Sequence, residues 1–348
     1  MINKDHIDVS DEDKFTSTGI KFWRHPYQMN EYKNGGRNTI ISTHISPEGR
    51  CNLKCSYCSV SRRKSDCRID LETIQKYILD LKSRGLKAVI LTGGGEPTLY
   101  PHFNELVQWI KNKNGLFVSL ITNGTLSDRI DDETFKCFSW IRISLNFFPG
   151  WDKKIFLPIE KLDKKCVLGL SFIYTKENES NIKEISNFAD KLSVKYVRFL
   201  PDCSEKESIL SINHDILEGI LSNLCDKRFF HQKKKHALPF SSVCHQSYFR
   251  PYLSEEIYQD SGKPGSVYPC DSVVLNNEHR KFIKKYQICS AENVLDFIDG
   301  KIKMNFIPNK DCDGCVFTNN IEMLDNWKNG LINYFDKYKQ EIVHEEFI

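Results

Sequence analysis

The stretch CNLKCSYC, residues 51–58, is the strongest local signal in the sequence: it places three cysteines with CxxxCxxC spacing just after an apolar run at 39–46. Three thiolates on one short loop can each bind a different iron of a four-iron cubane, and soft sulfur ligands suit iron–sulfur chemistry. Three protein ligands leave the fourth iron open for an exogenous chelator. Structural zinc is the alternative, but such a site is normally closed by four ligands. The spacing therefore favours an iron–sulfur cluster held by Cys51, Cys55 and Cys58.

On both sides of this loop, apolar runs alternate with amphipathic stretches from Asn38 to about Leu200. The runs that read as strands lie at 39–46, 87–92, 116–122, 139–146, 167–174 and 195–200. Apolar residues recur at helical spacing between them, as at 71–79, 103–110 and 181–192. Six strand–helix units predict an α/β fold with a parallel sheet and helices outside it, either open or partly closed as a barrel.

The composition narrows the classes of partner. With 49 basic and 46 acidic side chains the net charge is +3, which gives no electrostatic argument for nucleic acid or a membrane surface. No apolar run reaches the roughly 18–20 residues that a membrane span needs. The polar N-terminus is unlike a signal peptide, so we expect a cytoplasmic protein. In that compartment the 13 cysteines are more often metal ligands, catalytic groups or buried side chains than disulfides.

A glycine-rich motif, TGGGEP at residues 92–97, follows the second predicted strand. Consecutive glycines permit close approach to the backbone, and exposed amides with one carboxylate can hold an amino-acid headgroup. The cysteine loop after strand one and this loop after strand two resemble the radical S-adenosylmethionine (radical SAM) superfamily. The resemblance covers about residues 38–203. It implies a partial (β/α)6 TIM-like barrel, with a [4Fe–4S] cluster and S-adenosylmethionine as cofactors.

The resemblance also implies roles for individual side chains. Cys51, Cys55 and Cys58 would hold the cluster, whose open iron binds S-adenosylmethionine. The other cofactor contacts that it implies are Tyr57 against the adenine, Gly94, Gly95 and Glu96 at the methionine amine, Ser144 at the ribose, Arg198 at the methionine carboxylate, and Asn123 at the end of the third strand. Ordinary strand-end polar residues are the alternative for the last three positions. The implied chemistry is homolysis of S-adenosylmethionine and hydrogen abstraction by a 5′-deoxyadenosyl radical, with a reductant such as flavodoxin or ferredoxin.

A second set of cysteines lies in the C-terminal part, where the alternation has stopped. Cys244, the segment GSVYPC at 265–270 and the pair CDGC at 312–315 resemble the shortened SPASM arrangement called a twitch domain. The ligands that this resemblance implies for a second, auxiliary [4Fe–4S] cluster are Cys244, Cys270, Cys312 and Cys315. The interval between Cys244 and Gly265 is longer than in the twitch arrangement. Cys289 therefore competes with Cys244 for the role of fourth ligand. A zinc site built from the same four residues is the alternative.

These features predict three parts: an N-terminal extension at 1–37, a core barrel at 38–228, and a small cysteine-rich auxiliary domain at 229–348. A closing helix is predicted at 319–341. The basic stretch at 231–236 is predicted to be a solvated loop.

SPASM and twitch relatives most often modify peptides, so the favoured function is radical modification of a ribosomally made peptide or protein side chain. The reaction would be an epimerisation, an oxidation or a cross-linking. Cys203 follows the sixth strand directly and is a candidate hydrogen-atom donor to a substrate radical, with an inert loop cysteine as the alternative. A dehydrogenase of a small-molecule alcohol or sugar-derived metabolite is the second candidate. A zinc-binding structural or nucleic-acid-binding protein is the candidate from another class.

Overall fold

The protein is described from a computed structural model. Its described residues are 9–61, 63, 66–145, 158–202, 205, 207–233, 236–275, 283–335, 337 and 342–348. Within them, ten strands form one sheet in the order β10-β9-β8-β1-β2-β3-β4-β5-β6-β7. The strands are β1 (Ser42–Ile45), β2 (Ala88–Leu91), β3 (Phe117–Thr122), β4 (Phe138–Leu145), β5 (Val167–Tyr174), β6 (Tyr196–Pro201), β7 (Phe229–His231), β8 (Tyr252–Ile257), β9 (Pro264–Tyr268) and β10 (Cys289–Ser290).

Strands β1 to β6 pair in parallel in chain order, which confirms the six predicted strands and the partial barrel. The α-helices are α1 (Asp11–Phe15), α2 (Pro26–Lys33), α3 (Leu71–Lys82), α4 (Phe103–Gln108), α5 (Asp132–Phe135), α6 (Ile182–Lys191), α7 (Glu207–Ser222), α8 (Ser272–Leu275), α9 (Val294–Ile298), α10 (Pro308–Asp311) and α11 (Thr318–Lys328). A π-helical segment, Trp109–Lys113, extends α4. No helix among the described residues is both long enough and apolar enough to cross a membrane.

The helices cover the outer face of the barrel with apolar side chains. In α3 the buried residues Ile74, Tyr77, Ile78 and Leu81 recur every three or four positions, which places them on one face. They belong to one large apolar cluster together with outward side chains of the strands, such as Val89. Burial of this shared face is what fixes the helices to the sheet.

Side chains alternate along each strand between that outer core and the lumen of the barrel. In β4, Ile141 and Ile143 belong to the outer core. Arg142 and Ser144, which lie between and after them, line cavities inside the barrel. The lumen therefore carries charged and polar side chains, among apolar ones, that the outer core lacks.

Aromatic side chains from both ends of the chain plug the barrel where its strands begin. Phe15 stacks on Tyr196 of β6, with ring centroids 4.4 Å apart. Phe347 packs with Ala88 and Trp140, near the starts of β2 and β4. The lumen is thus closed at this end, and the site lies at the other.

The sheet continues from the barrel into the C-terminal part. On one side β7 pairs in parallel with β6, and on the other β8 pairs in parallel with β1. β9 and β10 then add antiparallel strands. One sheet therefore crosses position 228, and the predicted division into three parts stays a prediction.

The predicted closing helix is wrong beyond Lys328, where α11 ends. Gly330 has a φ of +77°, and the amide of Leu331 donates to the carbonyl oxygen of Asn326 at 2.9 Å. These features form a helix-terminating motif that relies on glycine in the left-handed region. Apolar periodicity continues past this stop in the sequence, which is why the prediction was too long.

We expect Gly169→Ala to destabilise the protein by about 1–3 kcal/mol, the usual cost of overpacking a core. A Cβ at Gly169 would lie 2.1 Å from the Tyr196 ring. The matched control is Gly219→Ala in α7, where a Cβ meets nothing within 4 Å and where alanine favours the helix by roughly 0.5–1 kcal/mol. Urea unfolding followed by circular dichroism measures both changes. Equal stabilities for the two variants would contradict the packing of Tyr196 over Gly169.

Candidate active site

The structure gathers most of the predicted site residues in one cleft at the carboxyl ends of β1 to β4. Cys51, Cys55 and Cys58 line one part of it. The other predicted residues that line the same cleft are Tyr57, Gly94, Gly95, Glu96, Asn123 and Ser144. These side chains come from loops after four consecutive parallel strands, whose carboxyl ends meet at one edge of a sheet.

The three thiols of the cleft are close enough to influence one another's ionisation. The amide of Cys58 donates to the carbonyl oxygen of Cys55 at 3.2 Å. Burial raises the pKa of Cys55 to about 11, and the neighbouring Cys58 and Cys51 add to the shift. Three thiolates here need a nearby cationic centre. This donor set fits an iron–sulfur cluster, whose irons supply that positive charge.

Two backbone hydrogen bonds join the cysteine loop to the glycine loop. The amide of Gly95 donates to the carbonyl oxygen of Glu48 at 3.0 Å, and the amide of Glu96 donates to that of Arg50 at 2.7 Å. A Cβ on Gly95 would lie 2.0 Å from the Arg50 carbonyl oxygen. Position 95 therefore requires glycine because the neighbouring loop leaves no space for a side chain. The reason expected from the sequence was a different one, namely the close approach of a ligand to the backbone.

Gly94 is constrained by a buried acidic side chain of β8. Its Cβ would lie 2.2 Å from Oε1 of Glu255. The amide of Gly94 donates to Oγ of Ser46 at 2.7 Å, and the Ser254 hydroxyl donates to Oε2 of Glu255 at 3.1 Å. The C-terminal part of the sheet thus helps to position the glycine loop.

The Glu96 carboxylate is buried and accepts four hydrogen bonds from described residues. Oε1 accepts from the amide and the hydroxyl of Thr98 at 3.2 and 2.8 Å and from the hydroxyl of Thr122 at 2.7 Å. Oε2 accepts from the amide of Asn123 at 2.8 Å. Burial raises the pKa of Glu96, and these hydrogen bonds oppose the shift. The carboxylate therefore fixes the end of β3 beside the glycine loop.

Asn123 and Tyr57 connect the cleft to its walls. Nδ2 of Asn123 donates to Oδ1 of Asn52 at 2.9 Å and lies 3.9 Å from Sγ of Cys51. The Tyr57 hydroxyl donates to the carbonyl oxygen of Leu145 at 3.2 Å. Both side chains are held before any ligand binds.

A cavity of about 300 Å³ lies inside the barrel beside the cleft, and Thr92, Ile121 and Ser144 line both spaces. Arg198 lines this lumen cavity and not the cleft. Its Nη2 donates to Oγ of Ser171 at 2.8 Å, and its Nη1 donates to Oε1 of Gln232 at 3.0 Å. The implied contact of Arg198 with a methionine carboxylate stays a prediction.

Sequence reasoning missed several residues of the lumen cavity. They include Arg142, His214, Gln232, His236 and Arg250. Gln232 and His236 are buried and belong to the stretch predicted to be a solvated loop, whose first residue ends β7. The alternation within β4 was the one available signal, because it directs Arg142 to the same side as Ser144.

The second cysteine set also converges. Cys244, Cys270, Cys312 and Cys315 are buried in one cluster, and the amide of Cys315 donates to the carbonyl oxygen of Cys312 at 3.2 Å. Burial raises the pKa of Cys244 to about 12, with the neighbouring Cys315 adding to the shift. Cys289 lies elsewhere. It is in β10, where it pairs with Val267 of β9, and its side chain belongs to the outer core of the barrel. The arrangement favours Cys244 over Cys289 as the fourth ligand.

Within the described ranges, no three His, Cys, Asp or Glu side chains are close enough to hold a single metal ion. Four sulfurs around one zinc each lie about 2.3 Å from it, whereas a cubane offers each thiolate its own iron and spreads the sulfurs apart. Three thiols in one cleft and four in one buried cluster match the ligand numbers of an open and a complete iron–sulfur cubane. Cys203, the candidate hydrogen-atom donor, lies outside the described residues.

We expect Glu96→Gln to lower the free energy of unfolding by about 2–4 kcal/mol, because an amide NH2 would face backbone and hydroxyl donors in a buried site. Glu105→Gln on α4 is the matched control, since that side chain is exposed. Urea unfolding of the three proteins in the same cluster state measures the difference. A Glu96→Gln protein as stable as the control would contradict the role assigned to this carboxylate.

We expect Glu255→Gln to flatten the dependence of stability on pH. Burial raises the pKa of Glu255 from 4.5 to about 7. The folded protein therefore holds this proton more tightly than the unfolded chain, and the wild type loses stability as pH rises from about 4.5 to 7. Between pH 5 and pH 8 the wild type should lose on the order of 2 kcal/mol more than the variant. Parallel profiles in urea unfolding would contradict this assignment.

The sequence model of the radical SAM superfamily matches residues 45–148. A UPF0026 protein of Helicobacter pylori is 27% identical over 186 residues, which are 45% of this chain and 60% of that protein. The tungsten-containing aldehyde ferredoxin oxidoreductase cofactor-modifying protein of Pyrococcus furiosus is 28% identical over 176 residues, 43% of this chain and 48% of that protein. The chain thus spans about half the length of the curated relatives it matches.

Two solved structures share the fold. Native anSMEcpe with bound AdoMet superposes with a TM-score of 0.53 at 15% identity, over 88% of this chain and 93% of that one. Streptococcus suis SuiB bound to precursor peptide SuiA superposes with a TM-score of 0.50 at 14% identity, over 97% and 84%. At these identities the likeness shows the fold alone. The matched segment contains both the cysteine loop and the glycine loop, so residues 45–148 form a radical SAM domain, which takes a [4Fe–4S] cluster and S-adenosylmethionine as cofactors.

Proposed function

We propose that this radical SAM enzyme abstracts hydrogen from a ribosomally made peptide or a protein side chain. The observation that carries the proposal is the junction of the two spaces, where Ser144 lines both the three-thiol cleft and the lumen cavity. A substrate group in the cavity would lie beside the cofactor in the cleft. When bound at the cluster, S-adenosylmethionine supplies a 5′-deoxyadenosyl radical.

The residues of the cleft would bind and orient that cofactor. Cys51, Cys55 and Cys58 are the cluster ligands of the proposal. Oε2 of Glu96 accepts one hydrogen bond, from the amide of Asn123, so Glu96 together with the backbone carbonyl oxygens of Gly94 and Gly95 would receive the methionine amine. The loops of the cleft are tied together by backbone hydrogen bonds, which keeps these groups in place before binding.

Tyr57, Asn123 and Ser144 would complete the cofactor site along its length. Each lines the cleft, and the first two are already held by hydrogen bonds to the protein. Ser144, at the junction with the cavity, would face the ribose. A reductant such as flavodoxin or ferredoxin would deliver the electron.

The C-terminal cysteines would hold the auxiliary cluster. Four buried thiols in one cluster of side chains match the four ligands that a complete cubane takes. Arg250 and Asp271 connect this region to the lumen cavity: both line it, and Asp271 is the residue after Cys270. The auxiliary cluster would therefore sit close to the substrate.

Two neighbours of similar fold support a peptide substrate. SuiB is solved bound to precursor peptide SuiA, and anSMEcpe with bound Cp18Cys peptide. The size of the cavity supports the second candidate, oxidation of a small-molecule alcohol or sugar-derived metabolite, because about 300 Å³ lies within the range of small-molecule sites. The hydrogen-donor role of Cys203 and the cytoplasmic location stay predictions.

Metal content tests both clusters. We expect the anaerobically purified protein to contain about eight irons, four per cluster. Cys315→Ser should lower this to about four, whereas Cys225→Ser, at an exposed cysteine, should leave it unchanged. Iron and sulfide assays give the count. Cys289→Ser should also retain about eight irons. A fall to about four irons in that variant would mean that Cys289, and not Cys244, is the fourth ligand of the auxiliary cluster.

Cofactor cleavage tests the proposed chemistry. After reduction with dithionite, the wild type should convert S-adenosylmethionine to 5′-deoxyadenosine, and Cys51→Ala should form none because the cluster loses a ligand. Cys225→Ser again serves as the control with wild-type turnover. Mass spectrometry of the nucleoside products makes the comparison, and a wild type that forms no 5′-deoxyadenosine would overturn the proposed function.

A further inference from the structure

The lumen cavity has a buried cation at its floor. Arg142 of β4 lines the cavity, and its side chain is only 6% exposed. The strand register places it beside Gly169 of β5, which in turn pairs with Tyr196 of β6. Ser144, two residues further along β4, lies one layer nearer the cleft. Arg142 is thus the deepest charged group on this wall of the cavity.

Neutral groups hold the Arg142 guanidinium in place. Its Nε donates to the Tyr196 hydroxyl at 3.0 Å, and its Nη2 donates to the carbonyl oxygen of Phe15 at 2.8 Å. The rings of Trp140 and Tyr196 flank it, at 5.1 and 5.8 Å from the centroids. The Tyr196 ring reaches this position because Gly169 has no side chain in its way. Among the described residues no carboxylate pairs with this arginine.

Basic side chains lie close to Arg142, and the carboxylates of Asp13, Glu345 and Glu346 act on one of them, Lys21. Lys21 is buried nearby, and burial lowers its pKa to about 7 with the charge of Arg142 adding to the effect. Arg198 lines the same cavity. Asp271 is the acidic residue that lines it in the described structure, and its carboxylate accepts from Nη2 of Arg250 at 2.7 Å. Among the described residues, Arg142 is therefore a buried cation that makes no direct contact with a carboxylate.

A buried charge without a counter-ion is costly unless a ligand supplies one. A guanidinium fixed in one orientation, with N–H groups that donate to none of the residues the structure describes, matches the oxygens of a carboxylate or a phosphate. We propose that the lumen cavity binds an anionic group of the substrate, a carboxylate or a phosphate, with Arg142 as its anchor. The inference rests on the proposed function in one respect only: it takes the ligand of the cavity to be the substrate.

The position of the anchor also sets where the reacting atom lies. Two residues along a strand span roughly 6–7 Å, so the layer of Ser144 lies about that far above the guanidinium. An anion held at Arg142 would extend the rest of its molecule toward the cleft. The hydrogen to be abstracted would then lie a few bonds from the anionic group.

Titration of the anaerobically reconstituted holoenzyme with inorganic phosphate and, separately, with glutarate tests the proposal. Chloride at equal ionic strength is the reference, and thermal unfolding is the readout. We expect a saturable rise in the Tm of the wild type with at least one probe, and the more effective probe tells phosphate from carboxylate. Arg142→Met should weaken that response by about tenfold or more, the loss of a paired charge-assisted hydrogen bond. Arg129→Met, at an exposed arginine, should respond as the wild type does.

Arg142→Lys is the second variant, in case the methionine variant does not fold. It keeps the charge but loses the fork of N–H groups, and we expect about tenfold weaker binding of the effective probe. A wild type with no saturable response to either probe, or a response that survives both Arg142 changes, would overturn the proposal. The formation of 5′-deoxyadenosine by the wild type is scored separately. If no 5′-deoxyadenosine forms but the anion response is present, the proposed function is overturned and the anion site stands. If 5′-deoxyadenosine forms but no anion response is seen, the anion site is overturned and the proposed function stands.

Discussion

The buried carboxylate of Glu96 is the interaction on which the site depends. It accepts hydrogen bonds from Thr98, Thr122 and Asn123, while the amide of the same residue donates to the loop that carries the cysteines. One residue therefore joins the ends of β2 and β3 to the thiol loop. Because a buried anion must find donors, the three segments have little freedom to separate. The positions of the cleft residues follow from this constraint.

An ion pair between the buried Arg250 and the partly buried Asp271 joins the lumen to the C-terminal cysteines. Arg250 donates to Asp271, the residue after Cys270, and its guanidinium lies 4.8 Å from the centroid of the Phe317 ring, two residues after Cys315. Side chains from three separated segments thus meet at the wall of the cavity. The auxiliary region is part of that wall and is not a separate appendage.

Local patterns in the sequence were sufficient for the six barrel strands and for the cysteine loop at 51–58, because strand periodicity and close cysteine spacing are short-range properties. The second set of cysteines came from the resemblance to twitch domains, and the role of both sets as cluster ligands stays a prediction. Contacts between distant segments were not accessible in the same way. Arg142 is held by Phe15 and Tyr196, which lie far from it in the chain. Gly94 and Gly95 are glycines because of Glu255 and Arg50, which no spacing reveals. The sequence contains a helix-terminating signal, Asn329-Gly330, at the end of α11. The predicted helix nevertheless ran past it because apolar periodicity continues in the residues that follow.

The pairing of β8 with β1 has a consequence for how the chain acquires its structure. The first barrel strand and its neighbour at one edge are separated by about 200 residues, as His44 pairs with Tyr252. Until synthesis passes that point, β1 presents an open row of backbone donors and acceptors, which is a template for association between copies. A fragment that stops at residue 228 keeps that edge exposed permanently. Such a truncation should therefore aggregate even though it contains every strand of the barrel itself.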